Sequence, residues 1–394
     1  MKVSARAQVP PFAVMEVLAA ANARRDAGES IINLCAGQPS GGASAVVRER
    51  ARELLAAGDH GYTEALGIPA LRRGIAEHYG RWYGVDLAPE QVAVTTGSSG
   101  GFLLTFLAAF DPGDRVALAR PGYPAYKNIL ASLGCEVVEL ACGPESRYQP
   151  TVEHLERAHA QAPLAGLVLA SPANPTGTMV DAAGLTALAD WCAAHGVRLI
   201  SDEIYHGITY RDAATQQATA AHHLDRGAVV VSSFSKYWAM TGWRLGWLVL
   251  PEDLRGPVDA LAGNVALCPP ALAQHAALAA FSPEGYASAE ADVARYAATR
   301  AVLLERLPEL GWGRVAPPDG AFYLYADIAA SGLDAVIWCA RLLDEAGVAM
   351  TPGTDFDGVD GTHWVRLSFA CTPEEIDEAV DRIVAWQRGL VDAP

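Results

Sequence analysis

Basic residues are scarce in this sequence. Its 394 residues include 29 lysines and arginines against 45 aspartates and glutamates, a formal net charge of −16. Proteins that bind nucleic acid use clusters of basic side chains to replace the counterions around the phosphates, and this sequence shows no such cluster. A nucleic-acid partner is therefore not expected. Long hydrophobic runs are also lacking: the stretch 103–110 is far too short to span a bilayer. The first residues lack the apolar segment of a secretory signal. We therefore expect a cytoplasmic protein with no membrane partner.

Cysteine is sparse and unpaired in pattern. The seven cysteines are an odd number and form no Cys-x-x-Cys motif, which is typical of reduced thiols in a cytosolic protein rather than of disulfides or zinc ligands. The ten histidines form no ligand-spaced pair with acidic neighbours. The sequence therefore predicts no metal site.

Strand and helix patterns alternate from about residue 90 to 250. The strand-like runs are 92–96, 116–119, 167–170, 197–201, 228–231 and 245–250. Because these runs are apolar throughout, they predict an α/β fold with a mostly parallel, doubly wound sheet that helices cover on both faces.

The chain after residue 285 has a different pattern. A long helical stretch, 284–307, precedes hairpin-like strands around 321–325 and 364–368 and a last helix over 373–388. This predicts a smaller α+β domain built from both chain ends. We place the large domain at 46–282 and the small domain at 1–45 and 283–394.

Polar side chains follow several of the predicted strands. Ser98 and Ser99 lie in a Gly-Ser-Ser-Gly-Gly turn at the start of a helix, where backbone N–H groups can approach an anion. Asn174 precedes a proline, which holds it extended. Asp202 directly follows the predicted strand 197–201, and a buried carboxylate needs a partner. Because ligands bind beyond the carboxyl ends of strands in such sheets, we expect these residues to share a site.

Lys236 is one of only three lysines beside 26 arginines. Arginine keeps its proton at working pH and forms no imine, whereas lysine can lose its proton and form an imine when its surroundings lower its pKa. Apolar and aromatic residues surround Lys236, and Arg244 follows eight residues later. An imine-forming lysine, an arginine and Gly/Ser loop for phosphate, and Asp202 for a pyridinium together indicate a phosphorylated aldehyde cofactor.

Several motifs then identify a family. They are Ser-Pro-Ala-Asn-Pro-Thr-Gly at 171–177, Ser-Asp-Glu-Ile-Tyr at 201–205 and Ser-Phe-Ser-Lys-Tyr-Trp-Ala-Met-Thr-Gly-Trp-Arg at 233–244. With Gly-Gln-Pro at 37–39, Tyr-Thr-Glu-Ala-Leu-Gly at 62–67 and Val-Arg-Leu-Ser-Phe-Ala at 365–370, they span nearly the whole chain. In this order and spacing, the chain resembles a pyridoxal-phosphate-dependent class I/II aminotransferase of the aspartate aminotransferase fold type (fold type I).

The resemblance implies a role for each matching residue around pyridoxal 5'-phosphate. Lys236 is the cofactor-binding lysine and the catalytic acid/base, and Asp202 keeps the ring nitrogen protonated. Tyr205 and Asn174 bind the phenolic oxygen, and Tyr123 stacks on the ring. The phosphate ligands are Ser98, Ser99, Ser233 and Arg244, with Tyr62 reaching the phosphate of a partner subunit.

Substrate binding is implied in the same way. Arg366 binds the α-carboxylate of the amino acid through two parallel hydrogen bonds, a bidentate geometry that lysine cannot match. Gly37 and Asn174 line the same place. The role of Tyr62 implies a homodimer with shared active sites, acting on small-molecule amino acids and 2-oxo acids.

The sequence departs from the aspartate-specific pattern in two places. Ser99 stands where one branch of the family has a basic residue for a second substrate carboxylate, and 40–44 lack the usual acidic-aromatic stretch. Aspartate, alanine-like and aromatic donors all stay open. Phe12, Val14, Tyr123 and Phe322 are candidates for an apolar side-chain wall or, equally, for core positions.

The leading hypothesis is amino transfer between an L-amino acid and a 2-oxo acid by a ping-pong mechanism through pyridoxamine phosphate. An alternative is a β-eliminating carbon–sulfur lyase, which uses the same cofactor set on the same fold. A third hypothesis is a non-catalytic pyridoxal-phosphate-sensing module of a transcription regulator, which the acidic charge disfavours.

Overall fold

A seven-stranded sheet lies at the centre of the structure, a computed structural model that describes residues 1–11, 13–58 and 61–391. The strands of all the sheets in the described residues are β1 Ile32–Asn33, β2 Val92–Thr95, β3 Arg115–Arg120, β4 Glu136–Ala141, β5 Gly166–Ala170, β6 Arg198–Asp202, β7 Val229–Ser233, β8 Gly246–Val249, β9 Tyr323–Asp327, β10 Val348–Ala349, β11 Thr351–Pro352 and β12 Trp364–Ser368.

Helices surround the strands. They are α1 Ala13–Asp26, α2 Ala45–Ala57, α3 Pro69–Tyr83, α4 Gly97–Ala109, α5 Pro124–Leu133, α6 Val152–Gln161, α7 Ala182–His195, α8 Glu252–Val265, α9 Ala271–Ala277, α10 Pro283–Arg306, α11 Ala335–Ala346 and α12 Pro373–Val391. None of the described helices is both long enough and apolar enough to cross a membrane.

The large sheet has the strand order β2-β8-β7-β6-β5-β3-β4. Its neighbours pair in parallel except at β8, which runs antiparallel to both β2 and β7. The predicted α/β class with a mostly parallel sheet is confirmed. The strand β4 has exposed and half-buried residues at most positions, so it lacks the continuous apolar run from which the other strands were predicted.

Both faces of this sheet are buried, as the apolar strand runs predict. Leu199 of β6 and Val230 of β7 pack into one hydrophobic cluster. Their neighbours Ile200, Val229 and Val231 pack into a second cluster. Because successive side chains of a strand point to opposite faces, the two clusters lie on opposite sides of the sheet.

Two smaller sheets lie outside the large one. An antiparallel sheet has the order β11-β12-β9, and β1 pairs in parallel with β10 near the other end of the chain. The register pairs Arg366 of β12 with Tyr325 of β9 and with Thr351 of β11. This fixes Arg366 in a central strand with neighbours on both sides.

The predicted strand over 321–325 begins two residues late. β9 starts at Tyr323, and Ala321 has a positive φ of 56°, a conformation that interrupts an extended strand. The Gly-Ser turn predicted at 97–101 is likewise the first turn of α4 rather than a separate loop.

Candidate active site

A cavity with a volume of about 220 Å³ opens at the carboxyl ends of β5, β6 and β7. All but two of the predicted site residues border it: Gly37, Ser98, Ser99, Tyr123, Asn174, Asp202, Tyr205, Lys236, Arg244 and Arg366. The parallel pairing of β5, β6 and β7 brings their carboxyl ends to one edge, as expected for an open α/β sheet.

Lys236 follows β7 and extends into the cavity. Its Nζ donates a hydrogen bond of 2.6 Å to the backbone carbonyl of Gly37 and lies 5.7 Å from the centroid of the Tyr205 ring. Burial, together with the charges of Arg366 and Arg244, lowers the pKa of Lys236 from 10.5 to about 8. A larger fraction of Lys236 is therefore a neutral, nucleophilic amine near neutral pH.

Asp202 ends β6 and is only 3% exposed. Its Oδ1 accepts a hydrogen bond of 3.1 Å from the backbone N–H of Ile204, and its Oδ2 accepts one from the Tyr126 hydroxyl. Burial raises the pKa of Asp202 to about 6, against the opposing effect of the two hydrogen bonds and the charge of Lys236. A buried carboxylate beside the cavity is suited to hold a cationic ring nitrogen.

Glu203 is next to Asp202 but does not border the cavity. It accepts hydrogen bonds from the hydroxyls of Ser201 and Thr219 at 3.0 and 2.8 Å and from the N–H of Ala220 at 2.7 Å. Glu203 thus ties the segment after β6 to the sheet, and its role is structural.

Tyr205 and Tyr323 form a hydroxyl pair on one wall. Their oxygens are 2.6 Å apart, and both side chains are buried. A Cβ added to Gly37 would lie only 2.0 Å from the Tyr323 hydroxyl. Only glycine therefore fits at position 37. Because the backbone of Gly37 can lie this close to Tyr323, its carbonyl can accept the hydrogen bond from Lys236.

Arg366 packs against the Tyr323 ring, with its guanidinium carbon 4.5 Å from the ring centroid, and several acceptors hold it. Its Nη1 donates to Asn174 Oδ1 at 2.9 Å, and its Nη2 donates to the Cys35 carbonyl at 2.5 Å and to Thr351 Oγ1 at 3.3 Å. Its Nε is buried with no partner among the described residues. An unsatisfied guanidinium donor beside the cavity is suited to bind an anion, since buried polar groups are normally satisfied.

The start of α4 forms an anion-binding corner with Arg244. Gly97 has a φ of +66°, and a Cβ there would lie 2.4 Å from Nη2 of Arg244. The guanidinium thus rests directly against the backbone beside Ser98 and Ser99. Free N–H groups and the positive end of the helix dipole complete the corner, which has the chemistry of a phosphate site.

Two predicted residues lie outside the cavity lining. Ser233 is buried, and its hydroxyl accepts a hydrogen bond of 3.2 Å from the N–H of Ser235, while Ser235 and Thr241 border the cavity themselves. Tyr62 is 85% exposed, in the segment between α2 and α3. Its predicted contact requires a second subunit, so it stays a prediction.

The proposed apolar wall is only partly correct. Val14 and Tyr123 border the cavity, joined by Met15 from α1. Phe322 is fully buried and packs on Tyr205, Tyr323 and Tyr296 instead. Phe12 lies outside the described residues.

Two tyrosines, Tyr126 and Tyr323, are among the cavity residues that the sequence motifs did not predict. Tyr126 lies three residues after Tyr123 in a helix that borders the cavity, a spacing that places both on one face. Tyr323 directly follows Phe322, and adjacent residues of a strand point to opposite faces. The helical spacing and the strand alternation were the available signals.

The residues present fit pyridoxal phosphate. A partly neutral lysine, a buried carboxylate and an anion corner of Gly97 and Arg244 surround one cavity, and Tyr123 and Tyr205 supply aromatic and hydroxyl groups between them. Among the described residues, no cluster of histidine, cysteine or acidic side chains is suited to hold a metal ion.

Known proteins match the chain over nearly its full length. The family model for aminotransferase class I and II matches residues 29–383. A valine–pyruvate aminotransferase of Mycobacterium tuberculosis is 54% identical, with 98% of both chains covered. An aspartate aminotransferase of Thermotoga maritima is 35% identical over 95% of this chain and 96% of the relative.

Solved structures of aminotransferases have the same fold as this chain. A crystal structure of an aminotransferase from Mycobacterium tuberculosis superposes with a TM-score of 0.96 at 52% identity, covering 99% of this chain and all of that one. Aspartate aminotransferase from Thermus thermophilus with maleate has a TM-score of 0.91 at 33% identity, covering 98% of this chain and 99% of that one.

Proposed function

The chain belongs to the class I and II aminotransferases and transfers amino groups with pyridoxal phosphate, and from this premise we propose that its preferred donor is a small apolar amino acid of the valine or alanine type. The β-eliminating lyase alternative is not favoured, because the similar relatives bear transaminase names. The chain is an enzyme of the transferase class, so the hypothesis of a non-catalytic sensing module is dropped.

The charges around the cavity carry the donor proposal. Its charged lining residues are Asp202, Lys236, Arg244 and Arg366. Arg244 rests against the anion corner and Arg366 is placed for an α-carboxylate, so within the described chain neither cation is left for a carboxylate in the donor's side chain. The rest of the lining is largely apolar, with Val14, Met15, Phe102, Ala125, Ile129 and Ile204 among its members.

Because binding removes water from the donor's side chain, this lining favours an apolar side chain over a charged one. A second carboxylate placed against apolar side chains loses its hydration without gaining a partner. An apolar side chain gains about 0.8 kcal/mol for each buried CH₂ group. The valine–pyruvate name of the relative at 54% identity agrees with a small apolar donor and suggests pyruvate as acceptor.

We assign the roles in the site as follows. Lys236 binds the cofactor covalently, Asp202 holds its ring nitrogen, and Tyr205 and Asn174 bind its phenolic oxygen. Tyr123 stacks on the ring. Ser98, Ser99, Ser233 and Arg244 hold the phosphate, with Tyr62 of a second subunit. When bound, pyridoxal phosphate supplies an aldehyde for the amine and a ring that accepts the electron pair left at Cα.

Once its amine is free of the cofactor, Lys236 moves the proton at Cα of the amino acid. Its lowered pKa leaves a neutral amine available as a general base, matched in strength to neutral pH. Gly37 and Arg366 position the substrate: the carbonyl of Gly37 orients Nζ of Lys236, and the guanidinium orients the carboxylate. A bidentate hydrogen bond from Arg366 to the carboxylate directs the Cα–H bond toward Lys236. This orientation favours deprotonation over decarboxylation.

A homodimer completes the proposal. Tyr62, Val265 and Leu267 are 85%, 49% and 52% exposed. They belong to neighbouring segments, because a Cβ on Gly263 would lie 3.7 Å from Cβ of Ala65. An exposed apolar patch of this kind is suited to a second copy of the chain. Hybrid dimers that combine Tyr62→Ala and Lys236→Ala subunits should regain activity if sites are shared, and should stay inactive if each chain acts alone.

The division of the chain is also part of the proposal. The strands of the large sheet all fall within 46–282, and β9, β11 and β12 fall within 283–394, which supports the large and small domains as predicted. We further propose a cytoplasmic location, for which the seven free thiols are suited.

A donor screen tests the substrate proposal. Purified holoenzyme is given single amino acids with pyruvate, and kcat/KM is measured for valine, alanine, aspartate and phenylalanine. We expect valine or alanine to exceed aspartate by at least about 10-fold, which corresponds to about 1.4 kcal/mol. Equal or better use of aspartate would refute the proposed donor class and leave the family assignment intact.

A further inference from the structure

We propose that the Tyr126 hydroxyl keeps Asp202 charged and fixed in orientation, which makes Tyr126 a positioning residue for the ring-nitrogen contact of the cofactor. The inference rests on the proposed role of Asp202. Tyr126 itself has no role among those assigned above, although it borders the cavity.

The contact between the two side chains is direct. Tyr126 donates from its hydroxyl to Oδ2 of Asp202, while Oδ1 is occupied by the N–H of Ile204. Both oxygens of the carboxylate are thus anchored from the protein side. A carboxylate held at two points cannot rotate without breaking a charge-assisted hydrogen bond, which is among the stronger kinds in proteins.

Tyr126 is itself held rigidly. Its ring centroid lies 5.0 Å from that of Phe102 and 5.3 Å from that of Tyr123, the latter in an edge-to-face arrangement. Only 6% of Tyr126 is exposed. A phenylalanine at position 126 keeps this packing, so the substitution removes the hydroxyl with little change in shape.

Burial makes the hydroxyl necessary. Asp202 has lost its water, and burial alone favours the protonated form, which cannot stabilise a pyridinium. The Tyr126 hydroxyl and the Ile204 N–H lower the pKa of Asp202 and oppose this effect. Burial and Asp202 also raise the pKa of Tyr126 well above 10, so the hydroxyl remains a donor at working pH.

Among the described residues, Asp202 interacts with three further titratable groups. Lys236 faces it from the segment after β7, Tyr123 from the start of α5, and Glu203 follows it in the chain. A substitution at 126 leaves all three in place. Comparing variants that differ only at 126 and 202 therefore cancels their contributions.

The first measurement is the pH dependence of stability of the full-length apoprotein. The pKa of Asp202 is about 6 in the folded chain against an ordinary 3.8, so its share of stability is present below about pH 4 and lost as pH rises toward 6. In Tyr126→Phe we expect this loss to extend upward by about one to two pH units, the equivalent of one charged hydrogen bond.

Two controls isolate the contact. In the Asp202→Asn background, Tyr126→Phe should change stability by the same amount at every pH. Tyr148→Phe removes a hydroxyl from a buried tyrosine in a separate cluster with Phe356 and Trp364, and should leave the pH dependence as in the parent. If the extra pH dependence of Tyr126→Phe persists in the Asp202→Asn background, the proposal is wrong.

The second measurement uses the holoenzyme. In Tyr126→Phe the pH midpoint of the bound cofactor's visible absorption should rise, because a less fully protonated ring withdraws fewer electrons from the nitrogen of Lys236. We expect kcat to fall about 10-fold or more while KM for the amino donor stays within about threefold, as the loss of one charged hydrogen bond away from the carboxylate site predicts.

The outcomes separate the inference from the function on which it rests. If Asp202→Asn shifts the absorption midpoint and lowers kcat but Tyr126→Phe behaves as the parent, only the inference fails. If Asp202→Asn itself leaves absorption and kcat unchanged, the proposed role of Asp202 fails and the inference with it.

Discussion

Replacing Arg366 tests how the site recognises its substrate and how it activates its lysine in one experiment. Arg366 is 3% exposed, and its charge lowers the pKa of Lys236. Arg366→Ala removes both the fork and the charge. Arg366→Lys keeps a charge but replaces the planar fork with a single ammonium group. The pair of variants therefore separates geometry from electrostatics.

The magnitude follows from the contacts. Two hydrogen bonds from a guanidinium to a carboxylate, each about 1.5–3 kcal/mol, predict a loss of about 3–6 kcal/mol, or roughly 10²–10⁴-fold in kcat/KM, for Arg366→Ala. Arg366→Lys should lose about 10–100-fold, the equivalent of one of those bonds. Asn174 and the Cys35 carbonyl lose a donor in both variants, so the melting temperature should also fall.

The electrostatic part has its own assay. The apoprotein contains only three lysines, so acylation of Lys236 can be followed by peptide mass spectrometry beside Lys2 and Lys127. Arg366→Ala should move the midpoint of Lys236 acylation to higher pH, because a positive neighbour is gone. Arg366→Lys should stay near the parent. A kcat/KM within threefold of the parent, or an unchanged acylation midpoint in Arg366→Ala, would refute the reasoning.

Further predictions concern the anion corner, the donor preference and the buried acid behind the site. Gly97→Ala should weaken cofactor binding because its Cβ meets Arg244, whereas Gly84→Ala, with the same φ of +66° and nothing within 4 Å, should lose stability alone; equilibrium dialysis with pyridoxal phosphate compares them. Ser99→Lys should raise kcat/KM for aspartate relative to valine by about 10-fold, as a new charged hydrogen bond would, and an unchanged ratio in the donor screen would count against the assignment of that position. Glu203 has a pKa raised to about 7 by burial, so it favours the folded state below its ordinary 4.5 and loses that contribution as pH rises to 7; Glu203→Gln should flatten apoprotein stability between pH 4.5 and 7 in urea titrations.

The fold was largely predictable because its strongest signals are local. Apolar runs such as 229–231 predict buried parallel strands, and the structure buries them on both faces. The antiparallel direction of β8 was not predictable, because strand direction depends on the path of the connection rather than on apolar pattern. The start of β9 was misplaced because Ala321 adopts a positive φ that its own residue type does not signal.

The site residues followed from motifs, whereas their supporting contacts did not. Lys236, Asp202 and Arg366 lie in segments whose chemistry is specific, and the structure brings them to one cavity. Tyr126 and Tyr323 make direct hydroxyl contacts with Asp202 and Tyr205 in the cavity wall. Such pairings join residues far apart in the chain, so one sequence without its fold does not reveal them.

The subunit contact is the part of the site that a single chain leaves open. Tyr62 is matched to the partner's phosphate by its motif alone, and in one chain it points to solvent. Sedimentation of the purified protein should give twice the chain mass of 41.5 kDa if the proposed dimer forms.

The most direct test of the central claim is to locate the cofactor on the chain. Holoenzyme is reduced with borohydride, digested, and analysed by mass spectrometry for a pyridoxyl-phosphate adduct. We expect one adduct per chain, on Lys236, with Lys2 and Lys127 unmodified. An adduct on either of the other lysines, or none at all in enzyme that still transaminates, would contradict it.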